Sequence, residues 1–104
     1  MFIVIYSFEI IPDKKNVFLD CWRELTKLIY KYENSLGSRI HKQSENIYVA
    51  YAQWPNAETF ENSGKKLPEK AIEIRRKMKE VCFEIKILNK LEVIEDLLDK
   101  TQQQ

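Results

Sequence analysis

The chain has 104 residues and a mass of 12.5 kDa, which fits one domain and excludes a separate catalytic lobe or a second cofactor-binding unit. Hydrophobic residues make up 44% of the sequence, enough for a packed core, so wholesale disorder is excluded. Because 17 Lys and Arg balance 16 Asp and Glu, the net charge of +1 gives no general attraction to nucleic acid or to an anionic membrane.

Targeting and nucleotide-binding signals are absent from the sequence. No apolar run reaches the roughly 20 residues of a spanning helix, and Met1 leads directly into an apolar segment without a basic leader region. We therefore expect a soluble, cytoplasmic protein that does not contact membranes. The only glycines are Gly37 and Gly64, which excludes a phosphate-binding loop or a dinucleotide fingerprint.

The residues that most often bind metals are few and scattered. Cys21 and Cys82 are too far apart in sequence for a Cys-x-x-Cys pair or a metal knuckle, and His41 is the only histidine. Both cysteines lie in apolar stretches. The sequence therefore predicts two buried free thiols in a reducing compartment and no metal site.

The first third of the chain predicts a strand followed by a helix. Residues 2–11 alternate in the manner of a strand that is apolar on both faces near its start. Pro12 stops the strand, and Asp13 is expected to cap the following helix. Residues 14–33 form that helix, which ends in the turn-forming residues 34–37. Its apolar stripe consists of Phe18, Cys21, Trp22, Leu25, Ile29 and Tyr32.

The middle of the chain predicts a β-hairpin. Two extended runs, 38–43 and 47–54, flank a short turn at 44–46. The register stays open at this point. With two central residues in the turn His41 faces Ala50, and with three it faces Val49; Arg39 correspondingly faces Ala52 or Tyr51.

The last third predicts helices and a final strand. A short helix covers 57–61, and Pro68 begins another helix, while alternation of Phe83, Ile85 and Ile87 with charged residues indicates an amphipathic strand. Residues 91–98 either continue that strand or form a terminal helix, and the Gln tail is expected to be loose. The apolar side of the longer helix consists of Leu67, Ala71, Ile74, Met78 and Val81.

The charged surface of this second helical region favours solvation over nucleic-acid binding. Its basic residues are interrupted by Glu69, Glu73 and Glu80, so no continuous basic stripe forms. The basic residues are Lys65, Lys66, Arg75, Arg76, Lys77 and Lys79.

The element order strand, helix, strand, strand, helix, strand predicts an α+β fold, the ferredoxin-like βαββαβ arrangement with a four-stranded antiparallel sheet. Both helices of such a fold pack on one face of the sheet, which leaves the other face uncovered. Strands one and three carry bulky apolar residues on both sides. A second copy of the chain is therefore expected to cover the open face, giving a homodimer with two sheets packed face to face.

Two short motifs relate the chain to a known family. Residues 36–41, Leu-Gly-Ser-Arg-Ile-His, and 51–55, Tyr-Ala-Gln-Trp-Pro, together with the opening strand, resemble the antibiotic biosynthesis monooxygenase family of dimeric α+β barrels. The resemblance implies an antibiotic biosynthesis monooxygenase domain over residues 1–95 and a C-terminal tail over 96–104. It also implies a pocket between sheet and helices in each protomer.

The family includes haem-degrading oxygenases, whose pattern has an Asn on the first strand and a Trp and a haem-ligating His in the second helical region. Tyr6, Ser63 and Glu73 stand at those positions here. None matches the pattern, and without the imidazole the iron lacks its axial ligand. The resemblance therefore favours the other branch, the cofactor-independent oxygenases of phenols and quinols, and predicts no cofactor.

Cofactor-free oxygenation needs an apolar aromatic pocket, a base and donors that stabilise an anion. The predicted catalytic residues are His41 as the base, with Tyr51 and Arg39. The expected substrate of the protein is a small aromatic or apolar molecule. The residues predicted to bind it are Tyr6, Phe8, Trp22, Gln53, Trp54 and Phe60.

Each assignment has a structural alternative. His41, beside Arg39 and Lys42, is also typical of an exposed or interface residue, Trp22 of core filling and Trp54 of a packing anchor. Two further functions stay open beside the monooxygenase. One is a dimer without catalysis that binds a small ligand or serves a stress or regulatory role, and the other is an isomerase or decomposition enzyme of the same barrel type.

Overall fold

The computed structural model describes residues 1–99 and contains the predicted order of elements. Four antiparallel strands form one sheet with the spatial order β2-β3-β1-β4, which confirms the ferredoxin-like prediction. No helix in this part of the chain is long and apolar enough to cross a membrane. The elements are β1 Phe2–Ile10, α1 Lys15–Tyr32, β2 Ser38–Ser44, β3 Ile47–Trp54, α2 Ala57–Glu61, α3 Lys70–Glu80 and β4 Cys82–Glu92.

The core lies between the sheet and the helices. On β3 alternate residues are buried, and those facing the helices pair across the ladder with residues of β1 that point the same way, as Tyr48 does with Phe8. Phe18 of α1 is fully buried against both rings. The buried residues of α3 are Ala71, Ile74 and Met78, the side that the sequence periodicity predicts.

The N-terminus of α1 differs from the prediction. Asp13 adopts a left-handed backbone conformation with φ of 70°, and the capping position is Lys14, which makes no side-chain capping bond. Asp13 thus completes the turn after Pro12 and does not cap the helix, because Asp tolerates positive φ better than most residues. The apolar stripe also differs at its end, where Leu28 is buried and Tyr32 is exposed.

The hairpin combines features of both predicted registers. The turn has two central residues, Glu45 and Asn46, but a bulge at Gln43 shifts the pairing by one residue. His41 therefore pairs with Val49 and Arg39 with Tyr51, the register predicted for three central residues.

The strand β4 continues through Leu91 to Glu92, and residues 93–99 have no regular structure, so the terminal helix is not formed there. The apolar side chains of this strand are less buried than predicted. The strand lies at the edge of the sheet, and Phe83 and Ile87 are exposed there. The predicted loose Gln tail lies outside the described residues.

Candidate functional site

A cavity of about 290 Å³ lies between the sheet and the two longer helices. Its floor is the helix-facing side of β1 and β3, where three successive inward positions of β3 are Ala50, Ala52 and Trp54. The small alanine side chains leave space above the sheet that α1 does not fill. The α1 residues that line this space are Trp22, Leu25, Thr26 and Ile29, and the lining as a whole is mainly apolar. Such a site suits a ligand with an apolar body.

The polar groups of the cavity are hydroxyls and two cations. Burial raises the pKa of the Tyr6 hydroxyl, while the Arg75 guanidinium acts against that rise to a smaller extent, so Tyr6 remains a protonated donor near neutral pH. Ser38 donates a hydrogen bond from Oγ to the Tyr51 carbonyl oxygen at 3.1 Å. Arg75 and Lys79 reach the cavity from α3, and the lining includes neither a carboxylate nor an imidazole.

Trp54 lines the cavity and is only 3% exposed. Its ring meets that of Phe60 edge-on at 5.5 Å between centroids, and Phe60 packs in turn against Phe2. The indole Nε1 is buried and has no hydrogen-bond acceptor within the described part of the chain. The Trp54 ring therefore acts as a packing anchor whose donor is unused in this state.

The structure brings together four of the six predicted substrate-binding residues. Tyr6, Phe8, Trp22 and Trp54 line the cavity. Phe60 contacts the Trp54 ring but is not among the residues that line the cavity. Gln53 alternates with Ala52 and Trp54 along β3 and pairs with Ile3, so its side chain is on the opposite face of the sheet.

The three predicted catalytic residues do not join the cavity. Arg39 and His41 pair with Tyr51 and Val49 on the face of the sheet that carries no helix. His41 is exposed, and its Nδ1 lies 3.0 Å from the Val49 carbonyl oxygen. The sheet therefore separates these side chains from the cavity, and their catalytic assignment stays a prediction.

Arg75 and Lys79 are the charged cavity residues that the sequence analysis missed, because their charge placed them on the solvated side of α3. Each directly follows a buried residue of that helix, Ile74 and Met78 respectively. A position next to the buried stripe is at its flank, where a long side chain reaches a gap in the core. This position beside the buried stripe was the sequence feature from which the two cavity residues could have been predicted.

The two cysteines stay free, as predicted, although Cys82 is only half-buried. Burial raises the pKa of the Cys82 thiol to about 11, and the neighbouring Cys21 thiol adds to this rise. The pKa of Cys21 is also raised by burial. Both thiols are therefore protonated near neutral pH and are poor nucleophiles. Within residues 1–99 no cluster of three or more His, Cys, Asp or Glu side chains is placed to hold a metal ion.

Solved structures with this fold cover nearly the whole chain. SnoaB, a cofactor-independent oxygenase from Streptomyces nogalater solved as a mutant, is similar with a TM-score of 0.74 at 10% identity, over 94% of this chain and 97% of that one. A protein from Deinococcus radiodurans, provisionally named an antibiotic biosynthesis monooxygenase, has a TM-score of 0.75 at 10% identity, over 95% and 98% of the two chains. A conserved protein from Methanosarcina mazei has a TM-score of 0.71 at 16% identity, over 86% and 89%.

No family model and no curated protein sequence matches the chain. The structural likeness nevertheless shows that the chain has the fold of the antibiotic biosynthesis monooxygenases, an α+β fold with a four-stranded antiparallel sheet. This confirms, for the fold, the resemblance indicated by the two sequence motifs. At identities this low the likeness establishes the fold alone.

Proposed function

We propose that the chain is a small homodimeric oxygenase that oxidises a phenolic or quinol-type compound in the cavity between sheet and helices, without a cofactor. The observation that carries this proposal is the cavity itself, whose size and apolar aromatic lining suit a flat ring system. The naming of SnoaB, which shares the fold, as a cofactor-independent oxygenase supports the same reaction class.

The reaction balances without an external reductant. A phenol with an unsubstituted para position and one O2 give a para-quinone and one water: one oxygen atom enters the ring as a carbonyl and the other leaves in water. The substrate supplies all four electrons. Since ionisation to the phenolate starts the transfer, cations near the phenolic oxygen favour it, and Arg75 and Lys79 supply them. Tyr6 is a hydrogen-bond donor to the same oxygen.

The proposal includes a homodimer in which two copies of the chain pack through the open faces of their sheets. The open face of the sheet carries apolar side chains in adjacent paired positions, since Ile5 lies opposite Tyr51 and Val49 lies next along β3. Neither core cluster includes a side chain from this face, although Ile3 is buried there within one chain. A second copy covers it with an identical apolar surface and buries both. A cytoplasmic location also stays a prediction, and the two free thiols fit it.

Oxygen uptake tests the proposed reaction. The protein in metal-free aerobic buffer is offered hydroquinones, naphthols and hydroxyanthrones, and we expect turnover of at least one class with quinone appearing in step with oxygen consumed. Ala50→Leu fills the floor of the cavity and is expected to lower turnover at least about tenfold. Its fold is checked by circular dichroism. Ligand binding without oxygen uptake across the panel would contradict the oxygenase.

His41→Gln is the matched variant on the opposite face. Because the sheet separates His41 from the cavity, we expect turnover within about twofold of the unmodified protein. A loss of about a hundredfold would instead support His41 as the general base.

A binding protein without catalysis is the second candidate. The observation that favours it is the lack of a carboxylate or imidazole among the cavity residues, since these are the usual bases near neutral pH. A thermal shift produced by the same phenols, with no oxygen consumed, would establish it.

A further inference from the structure

Two unpaired cations stand at the cavity on one side of α3. Arg75 and Lys79 are four residues apart, so their side chains emerge one above the other on successive turns. Neither takes part in an ion pair within residues 1–99. Both lie in the lining of the same mainly apolar space.

The carboxylates of the same helix are used elsewhere. Arg76, which lies between the two cavity cations in sequence, is paired with both Glu73 and Glu80 on the exposed side. The helix thus neutralises its outward arginine twice and leaves its two cavity-side cations without a partner. No Asp or Glu is among the cavity residues. The result is a local charge of +2 against mainly apolar walls.

Arg75 and Lys79 are exposed to solvent as well as lining the cavity, and the charge of Arg75 also reaches the cavity floor. The Arg75 guanidinium is close enough to the Tyr6 hydroxyl to oppose the rise in pKa that burial causes there. Tyr6 belongs to β1, on the floor of the cavity. The charge of Arg75 therefore influences a group on the far side of the cavity. A cleft lined by one sign of charge concentrates ligands of the opposite sign.

We propose that this cavity selects ligands that carry an anionic group, a carboxylate or a phenolate, on an apolar aromatic body, and that Arg75 and Lys79 hold that group. The proposal rests on the proposed function only in using its cavity; it holds equally for an oxygenase and for a binding protein. Arg75 supplies a planar donor pair that matches a carboxylate, and Lys79 adds a point charge one turn away.

Matched probes of equal shape test the charge preference. 2-Naphthoate and 2-naphthamide differ in charge and little in size, and their binding to the full chain is followed by titration calorimetry. We expect naphthoate to bind about tenfold more tightly than naphthamide, and the difference to shrink in 0.5 M NaCl. In the double variant Arg75→Gln, Lys79→Gln the two probes should bind about equally.

The control removes the same charge elsewhere on the helix. Lys70 and Lys77 are exposed on α3 and are not cavity residues, so the double variant Lys70→Gln, Lys77→Gln should keep the preference for naphthoate. Equal affinity of both probes for the unmodified protein, or an equal loss of preference in the control, would overturn the proposed anion selection while leaving a ligand cavity in place. If neither probe binds, the proposed anion selection fails, and the oxygen-uptake panel decides separately whether the cavity is a ligand site.

Discussion

Phe18 illustrates at the scale of one residue how the helix layer is fixed to the sheet. Its side chain is fully buried, and its ring lies 4.9 Å from that of Phe8 and 5.9 Å from that of Tyr48, measured between centroids. These contacts join α1 to both central strands. We expect Phe18→Ala to lower the free energy of unfolding by about 3–5 kcal/mol in urea denaturation.

The neighbouring Val17 provides the control, because its side chain is exposed on the same turn. Val17→Ala should change stability by less than about 0.5 kcal/mol. Similar losses in the two variants would show that the core is not organised around the Phe18 ring.

Cys82 gives the protein a dependence on alkaline pH. Its folded-state pKa of about 11 lies above its ordinary value, so the native state disfavours the thiolate. The contribution is complete below about pH 9 and is lost as the pH rises toward 11, because the unfolded chain releases the proton first. With a reducing agent present, the urea midpoint of the unmodified protein should fall more between pH 8 and pH 10.5 than that of Cys82→Ala. Parallel declines would contradict the role of this thiol.

At the scale of elements, Glu33 connects the end of α1 to the loop before α3. Its carboxylate is buried, and Oε2 accepts hydrogen bonds from the backbone N–H groups of Gly64 and Lys66 at 2.7 and 2.9 Å. Gly64 has φ of 101°, a conformation in which glycine is favoured. Glu33→Ala removes the acceptor for two amides and should lower the free energy of unfolding by about 2 kcal/mol.

Glu33→Gln retains an acceptor oxygen at the same place. We therefore expect it to lose less than half as much stability as Glu33→Ala, measured by the same denaturation. If glutamine proves as damaging as alanine, the negative charge, and not the acceptor geometry, holds the loop.

The elements themselves were predictable because their signals are local. The periodicity of α1 and α3 and the alternation of β3 follow from the backbone geometry of each segment alone. The partnership of Glu33 with Gly64 was not predictable, because it joins residues about thirty positions apart. The bulge at Gln43, which sets the register of His41, was not predictable for a different reason, because turns with two and with three central residues both fit the sequence.

The candidate site was predicted in part for a related reason. Aromatic residues of β1 and α1 belong to the apolar patterns that mark the core, and the cavity lies within that core. Tyr51 and Ala52, however, are adjacent on a strand that is apolar on both faces, and alternation does not say which face meets the helices. Ile40 packs in the core, so its neighbour His41 points away from it.

At the scale of the whole molecule, the sheet has two differently covered faces. The helices and the cavity occupy one face, and the proposed partner covers the other. Two large apolar residues of the segment after β4 do not pack on either face of the sheet within one chain, since Ile94 and Leu97 are 87% and 85% exposed. We propose that residues 1–95 form the folded domain.

Truncation tests that boundary. A chain ending at residue 95 should unfold within about 3 °C of the full-length protein in a thermal melt, because Leu97 and Leu98 are 85% and 67% exposed. A drop of more than about 8 °C would show that the segment after residue 95 is part of the folded unit.

Sedimentation equilibrium at about 20 µM tests the pairing of open faces most directly. The full chain should sediment at twice its mass of 12.5 kDa. Tyr51→Lys on the open face should shift it toward the single-chain mass, whereas Tyr30→Lys, at an exposed position on α1, should not. A single-chain mass for the unmodified protein at this concentration would contradict the paired sheets.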